Sequence, residues 1–434
     1  MSQPGPSPLS AGDKNISVDQ ARAAIAAALR PVQTQETVAI GQALGRVLAV
    51  DVVSPIDVPA HDNSAMDGYA FASADLSLEA VTTLRSVGTL YAGAPFADVV
   101  GPGECLRIMT GAVMPAKLDT VVPLELCRAD GKPEAATVHI EPGVMRAGEN
   151  RRRRGEDLTA GRPAVRAGRV LKPADMGLVA SLGLSQVQVL RRLRVALFST
   201  GNELRSLGQP LDPGSVYDSN RYSLLGAVQR LGMEVVDLGL VPDDPAALQA
   251  TLQHAVAEAD VVLTSGGVSM GDADYTREVL ARMGEVAFWK VAMRPGRPFA
   301  FGPLGPVGPV GRSPEKAPVW LFALPGNPVA ALVTFYAFAR DALLQLAGAE
   351  ATPLPVLQAR CTTAIRKRPG RTEFQRAVLE PAATGGWQVR LTGSQGAGIL
   401  RSMSEANALV VLRHEQGSVA EGELVDVWLF DGLV

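Results

Sequence analysis

Five acids and three cations fall in segments that read as loops at the ends of strands, and together they suit chemistry on a phosphate ester or anhydride. The acids are Glu203, Asp218, Asp243, Asp272 and Asp274, and the cations are Lys290, Arg294 and Arg297, close together in FWKVAMRPGRPF. Carboxylate oxygens suit a hard cation such as Mg²⁺, which bridges to phosphate oxygens, while basic groups hold phosphate or another oxyanion. In TSGGVSMGDADYT (264–276), Ser265, Gly266 and Gly267 form a turn before a helix whose first N–H groups could meet an anion. Asp272 and Asp274 would repel a bare phosphate there unless a divalent cation stood between them. A similar loop carries Thr200 and Gly201 in FSTGNEL (198–204). In the PGNP turn of Pro325, Gly326, Asn327 and Pro328, Asn327 can cap and Pro328 sits at the first helical position, which leaves a helix end open to an anion. The plainer reading is a set of helix caps and surface ion pairs. A cap explains either Asp243 or Asp244 fully, but Ser269 and Asp272 already offer the next helix a cap, so Asp274 needs another account.

Other catalytic apparatus is missing. The histidines His61, His139, His254 and His414 are isolated, which argues against zinc hydrolysis, and there is no GxSxG, GxxxxGK[ST] or strand-following GxGxxG. Cys105, Cys127 and Cys361 form no metal spacing and suit a reducing cytosol. A formal charge of −3 gives no general pull toward nucleic acid. No apolar run reaches the ~18 residues of a membrane span; the closest, Val329 to Ala339, is too short. The Pro-rich N-terminus lacks the pattern of a secretory or transit signal and reads as a disordered lead-in.

Three further loops stand out. Asp57, Asp62 and Asp67 cluster in DVVSPIDVPAHDNSAMDGYAF (51–71), where turn formation alone is the favoured account. GENRRRRGED (148–157) sets four arginines before Glu156 and Asp157; a solvated face is slightly favoured over a phosphate-binding or interface loop. GSQGAGILRSM (393–403) has glycines that a turn would explain.

The elements that must position these residues follow from periodicity. Ile16 to Leu29 is an amphipathic helix with Ser17 as N-cap, Ile40 to Leu48 a short helix, and Val81 to Ile140 a series of short strands. Lys172 to Leu182 is a helix with Pro173 in its first turn. From Leu193 strands and helices alternate, indicating a parallel sheet with helices on both faces and ligands at the carboxyl ends of its strands. Gly302 to Pro318 is a surface loop, and after Pro355 short alternating strands indicate a small barrel or sandwich.

Seven ordered motifs then resemble one family, the molybdopterin molybdenumtransferases, which include the bacterial MoeA proteins and the E domain of gephyrin. They are DNSAMDGYA (62–70), RIMTGAVMP (107–115), RRRGED (152–157), FSTGNEL, TSGGVSMGDADYT, RPGRPFAFG (294–302) and LPGNPVAAL (324–332). The resemblance implies a multidomain α/β plus β protein. Its parts are a lead-in (1–15), an elongated helical domain in two segments (16–50 and 148–189) and an inserted β module (51–147). A parallel-sheet molybdopterin-binding α/β domain (190–348) and a C-terminal β-barrel domain (349–434) complete it. It implies a cytoplasmic homodimer whose cleft joins the α/β domain of one subunit to the β module of the other. The pathway's adenylyltransferase is a further candidate partner. The implied reaction inserts molybdenum from molybdate into the dithiolene of adenylylated molybdopterin with release of AMP, helped by Mg²⁺.

Asp67, Asp157, Glu203, Asp243 and Asp274 are then the implied catalytic acids, with Glu203, Asp243 and Asp274 also on the metal. Thr110, Lys290 and, more weakly, Arg371 face substrate with the strand-end residues named above, and Pro325 and Pro328 shape the cleft. Arg294 and Arg297 stand where relatives often carry lysine, and Ala397 where some carry serine; Met270 and Asp272 vary a motif often written with Val and Glu. An adenylyltransferase and a non-catalytic scaffold are the rival readings. The DNSAMDGYA loop and the extra β modules count against the first.

Overall fold

The computed structural model describes residues 15–94, 96–267, 279–280, 282–305, 317–350 and 354–433. Strands Arg194–Thr200, Val261–Ser265 and Val319–Leu324 are buried along nearly their whole length. Such runs need cover on both faces of a sheet. They receive it. One apolar cluster joins the sheet to helices Asn220–Arg230 and 328–346, and the other joins it to helix Pro245–Glu258.

The sheet has seven strands in the order Asn15–Ile16, Ala287–Val291, Pro298–Leu304, Val319–Leu324, Val261–Ser265, Arg194–Thr200, Glu234–Val241. The last four are mutually parallel, as the alternation predicts. Pro298–Leu304 departs from this, running antiparallel to both neighbours. Residues 292–297 are too few for a crossover, so the chain must turn straight back. Two reversals leave Ala287–Val291 running the same way as Val319–Leu324. Asn15, at the end of the expected lead-in, pairs with Lys290; residues 1–14 lie outside the described residues.

The first helix is Val18–Ala28, and Ser17 and Gln20 close a reciprocal capping box at its start. Its stripe of Val18, Ala21 and Ile25, with Leu29, packs into the α/β core beside helix 328–346 rather than into the elongated part expected from residue 16. An apolar face must find an apolar partner, and the nearest one is there. Ile40 to Leu48 is not the expected helix: only Ile40–Gln42 forms a 3-10 turn. Gly45 (φ +71°) then turns the chain into short bridges with Val170 and Val189. The second helix is Pro173–Ser181.

The β insertion is a six-stranded sheet built from residues 68–140. The preceding residues pair elsewhere, Val52–Val53 with Pro163–Val165 and Asn63–Ser64 with Arg151–Arg152. At the C-terminus, strands Leu357–Cys361, Thr372–Pro381, Trp387–Leu391, Ala408–Leu412 and Leu424–Leu429 close into a five-stranded barrel. Met293–Arg294 joins its outside by pairing with Thr372 and Glu373.

Residues 328–346 form one continuous helix with a π-helical turn at Phe335–Ala339. At 19 residues it is the one helix among those described that is long and apolar enough to cross a membrane, longer than the run read from sequence. Its apolar window is 78% buried inside the protein, as befits the central helix of the core.

Candidate functional site

The parallel strands end at one sheet edge, and their last residues bind one another. Asp244 caps helix Pro245–Glu258 through the Ala247 amide (2.8 Å), which leaves Asp243 free of that duty. The Thr200 hydroxyl donates to Asp243 Oδ1 at 2.6 Å and the Asn202 amide to Oδ2 at 3.2 Å. The Asp243 amide in turn donates to Asn202 Oδ1 at 3.2 Å, tying the two strand-end loops together. The carboxylate of Glu203 lies against Gly201, where a Cβ would come within 2.7 Å of Oε2. Any residue but glycine would push that acid aside.

The next loop crosses close by. A Cβ on Gly266 (φ +97°) would overlap the Thr200 carbonyl oxygen, so the turn can cross that strand end only as glycine. Gly267 (φ +70°) continues the turn. Residues 268–278, with Ser269, Met270, Asp272 and Asp274, lie outside the described residues. Asn220 fastens the edge from beneath: its Nδ2 donates to Ser265 Oγ and to the Gly326 carbonyl, each at 2.7 Å. Nothing in the sequence distinguishes Asn220 from an ordinary helix-start residue.

Two expectations change here. Asp218 is not an available acid: it is buried against Arg221, whose Nε donates to it at 3.0 Å, and it accepts the Ser199 hydroxyl at 2.9 Å. Arg221 also bonds Asp237 at 2.6 Å, making a structural network. The helix after PGNP is not wholly open either. Pro328 has no N–H, the Asn327 side chain makes no cap bond, and the Val329 amide donates to the Ala397 carbonyl at 3.0 Å. The barrel loop closes this end.

The cations reach the same edge because the hairpin does. Lys290 is the penultimate residue of the strand that runs parallel to Val319–Leu324 and faces Pro298 across the ladder. The Val291 amide donates to the Arg297 carbonyl at 2.8 Å, closing the loop that carries Arg294 out to the barrel. There Arg294 and Pro295 line a cleft of about 240 Å³ with Arg366, Glu373, Arg376 and Gln395. Arg297 is exposed. Arg371 lies beside the cleft and pairs with Glu373 at 2.8 Å, a half-exposed arginine on a buried acid.

The acidic loop of the β insertion divides by partner. Arg154 binds Asp57 (2.6 Å) with its guanidinium and Asp62 (2.8 Å) with its amide. The amide of Ala160 and then Arg154 hold the Asp57 carboxyl below the usual range. Arg152 pairs with Glu156 at 2.9 Å and Arg151 approaches Asp62 at 3.6 Å. The arginine run is thus largely an ion-paired turn. Asp67 has a different environment: the amide and the hydroxyl of Thr110 both donate to its Oδ1 at 2.7 Å. Those donors, the amide first, hold its carboxyl below the ordinary range. Asp157 is exposed, and its amide donates to the Val58 carbonyl (3.0 Å). No hydrogen bond or ion pair among the described residues joins Asp67, Thr110 or Asp157 to the sheet edge of the same chain.

These features define a multidomain α/β protein with acids and cations at one sheet edge, beside a β insertion and a closed barrel. Comparison with known proteins finds three family matches along the chain. A family described as MoeA N-terminal region (domain I and II) matches residues 16–183, a probable molybdopterin binding domain matches 196–345, and the MoeA C-terminal region (domain IV) matches 358–430. A molybdopterin molybdenumtransferase of Haemophilus influenzae is 38% identical over 421 residues, covering 96% of this chain and all of that protein. One from Nostoc is 36% identical over 90% of this chain and 88% of its own length. The solved structure of a molybdopterin biosynthesis moeA protein from Pyrococcus horikoshii superposes with a TM-score of 0.80 at 25% identity, over 96% of this chain and 100% of that one. The chain belongs to the molybdopterin molybdenumtransferase family.

Proposed function

We propose that the chain is the molybdenum-inserting enzyme of molybdenum cofactor biosynthesis, acting on adenylylated molybdopterin and molybdate and releasing AMP. The observation that carries this reading is the tying of Asp243 to Thr200 across the carboxyl ends of two parallel strands, beside Glu203 at Gly201, in a chain of this family. Both substrates are anions. The Gly266–Gly267 turn and the PGNP turn give close backbone approach to the pyrophosphate, Thr200 and Ser265 border it, and Lys290 offsets its charge. The Arg294 cleft, with Arg371 paired to its lining residue Glu373 and Arg297 exposed three residues after Arg294, suits the oxyanion.

The residues present fit Mg²⁺. Neither Glu203 nor Asp243 has an ion-pair partner among the described residues, and this cation commonly takes one or two carboxylates with substrate phosphates and water. The described residues hold no cluster of three acids or other ligands, and the third proposed ligand, Asp274, lies outside them. When bound, the ion neutralises phosphate charge. Asp243, oriented by Thr200 and Asn202, holds its position before substrate arrives.

Asp67 and Thr110 enter from the β insertion of a second copy, and Asp157 from the segment that follows it, making the working unit a homodimer. The adenylyltransferase of the pathway would hand its product to this cleft, and neither nucleic acid nor membrane takes part. The three cysteines are free, in keeping with a cytoplasmic enzyme. Purified protein given adenylylated molybdopterin and Mg²⁺ should release AMP on addition of molybdate. Tungstate in its place measures oxyanion choice. Absence of oxyanion-dependent AMP release would overturn the reading.

A further inference from the structure

Among the described residues Arg376 is the largest fully buried side chain, and no carboxylate there pairs with it. Burial, and then the charge of Arg294, push its guanidinium down to about 10. A buried cation without a counter-charge is costly, and an apolar residue of similar volume would fill the space at less cost. What arginine adds is a rigid fork of donors.

The fork is spent on one loop. Nε donates to Ser402 Oγ at 3.0 Å, and Nη2 donates to the Gly396 carbonyl at 2.9 Å and the Ser394 carbonyl at 3.3 Å. The backbone of Arg376 grips the same loop. Its amide donates to Gln395 Oε1 at 2.8 Å, and its carbonyl accepts from Gln395 Nε2 at 3.1 Å. The Ala397 carbonyl at the head of this loop takes the Val329 amide, the first N–H after Pro328 in the PGNP turn. On its other side the loop contributes Gln395 to the Arg294 cleft.

We propose that Arg376 is a positioning residue: by clamping residues 394–396 it seats Ala397 on the start of helix 328–346 and fixes the barrel wall of the oxyanion cleft. The first half stands on geometry alone, and the second rests on the function proposed above. Arg376 thereby couples barrel and α/β core without contacting the pyrophosphate end of the site.

Two readouts separate these halves, hydrogen exchange at the Val329 amide and the KM for molybdate in AMP release. Arg376→Met should speed Val329 exchange about tenfold or more. It should also raise the KM for molybdate about tenfold to a hundredfold while kcat changes far less, since misplacement of a binding wall weakens oxyanion capture. Arg376→Lys, which keeps charge but loses the fork, should recover only part of each. Ser402→Ala removes one bond of the clamp without burying an unpaired charge; it serves if the Met variant fails to fold, and should shift both readouts the same way by less. A folded Arg376→Met or Ser402→Ala protein with wild-type Val329 exchange would overturn the clamp. Faster exchange with an unchanged KM would overturn its role in oxyanion capture. A wild type without oxyanion-dependent turnover, but with exchange that responds to the substitutions, would refute the proposed function and leave the clamp standing.

Discussion

Asp243 and Asp244 are neighbours with different work, and substitution should separate them. Asp244 caps a helix, so Asp244→Ala should cost about 1 kcal/mol of stability, read by urea unfolding, and leave AMP release close to wild type. Asp243 accepts from Thr200 and Asn202 at the sheet edge. Asp243→Asn retains an acceptor for Thr200 but removes the charge offered to Mg²⁺, so turnover should fall at least about a hundredfold with unfolding barely changed. Equal activity losses in both variants would place Asp243 in the fold rather than in the chemistry. At Asp67 the sign of the pH effect follows from its donors. A carboxyl held below its ordinary range contributes stability above the unfolded pKa, and that contribution is lost as pH falls through the folded pKa. Thr110→Val removes the hydroxyl and keeps the amide, so the Asp67 carboxyl should titrate at higher pH than in wild type, though still below the ordinary range. Carboxyl carbon NMR shifts against pH would read this, and an unmoved midpoint would mean that the hydroxyl bond is not made in solution.

Among elements, the strands and helices of the α/β part were legible because their periodicities are local. Continuous apolar runs marked the central strands, and Ser17 and Pro245 marked helix starts that the structure contains. The hairpin of Ala287–Val291 and Pro298–Leu304 was not legible, because its cations read as a loop and nothing local indicates reversal. Partners distant in sequence hid the rest. Asp57, Asp62 and Asp67 look alike in the chain, yet the donors that distinguish Asp57 from Asp67 lie 97 and 43 residues away. The Gly-rich loops were visible as motifs, but only packing shows which glycine is obligatory. Gly266 crosses the Thr200 carbonyl with a positive φ. Gly266→Ala should therefore force two adjacent strand ends apart, at a cost on the order of 2 kcal/mol, with loss of AMP release. The same substitution at Gly208, which also has a positive φ but nothing within 4 Å of its Cβ, should cost less and spare activity. Thermal unfolding and AMP release compared across the two would separate backbone strain from the close approach.

At the scale of the whole molecule, the residues assigned to one reaction fall into two groups that no hydrogen bond or ion pair among the described residues connects. Glu203, Asp243 and Lys290 belong to the edge of the α/β sheet, while Asp67 and Thr110 belong to the β insertion with their own hydrogen bonds. The proposed twofold assembly would resolve this, since an isologous pairing would bring the insertion of each copy to the sheet edge of the other and build two equal clefts. Light scattering should then report a dimer at working concentration. A sharper test uses two variants that should each lose most of their activity, Asp67→Asn and Asp243→Asn. Within a mixed dimer one cleft carries both substitutions and the other carries neither. If subunits exchange at random, half the dimers are mixed and about a quarter of all clefts are intact, so mixing should restore about a quarter of wild-type activity. If both residues served a cleft within one chain, every cleft in the mixture would keep one lesion and activity would stay at the level of the separate variants. Co-expression from differently tagged copies, followed by tandem purification of the mixed dimer, removes the dependence on exchange: half of its clefts would be intact, and its activity per dimer should approach half that of wild type.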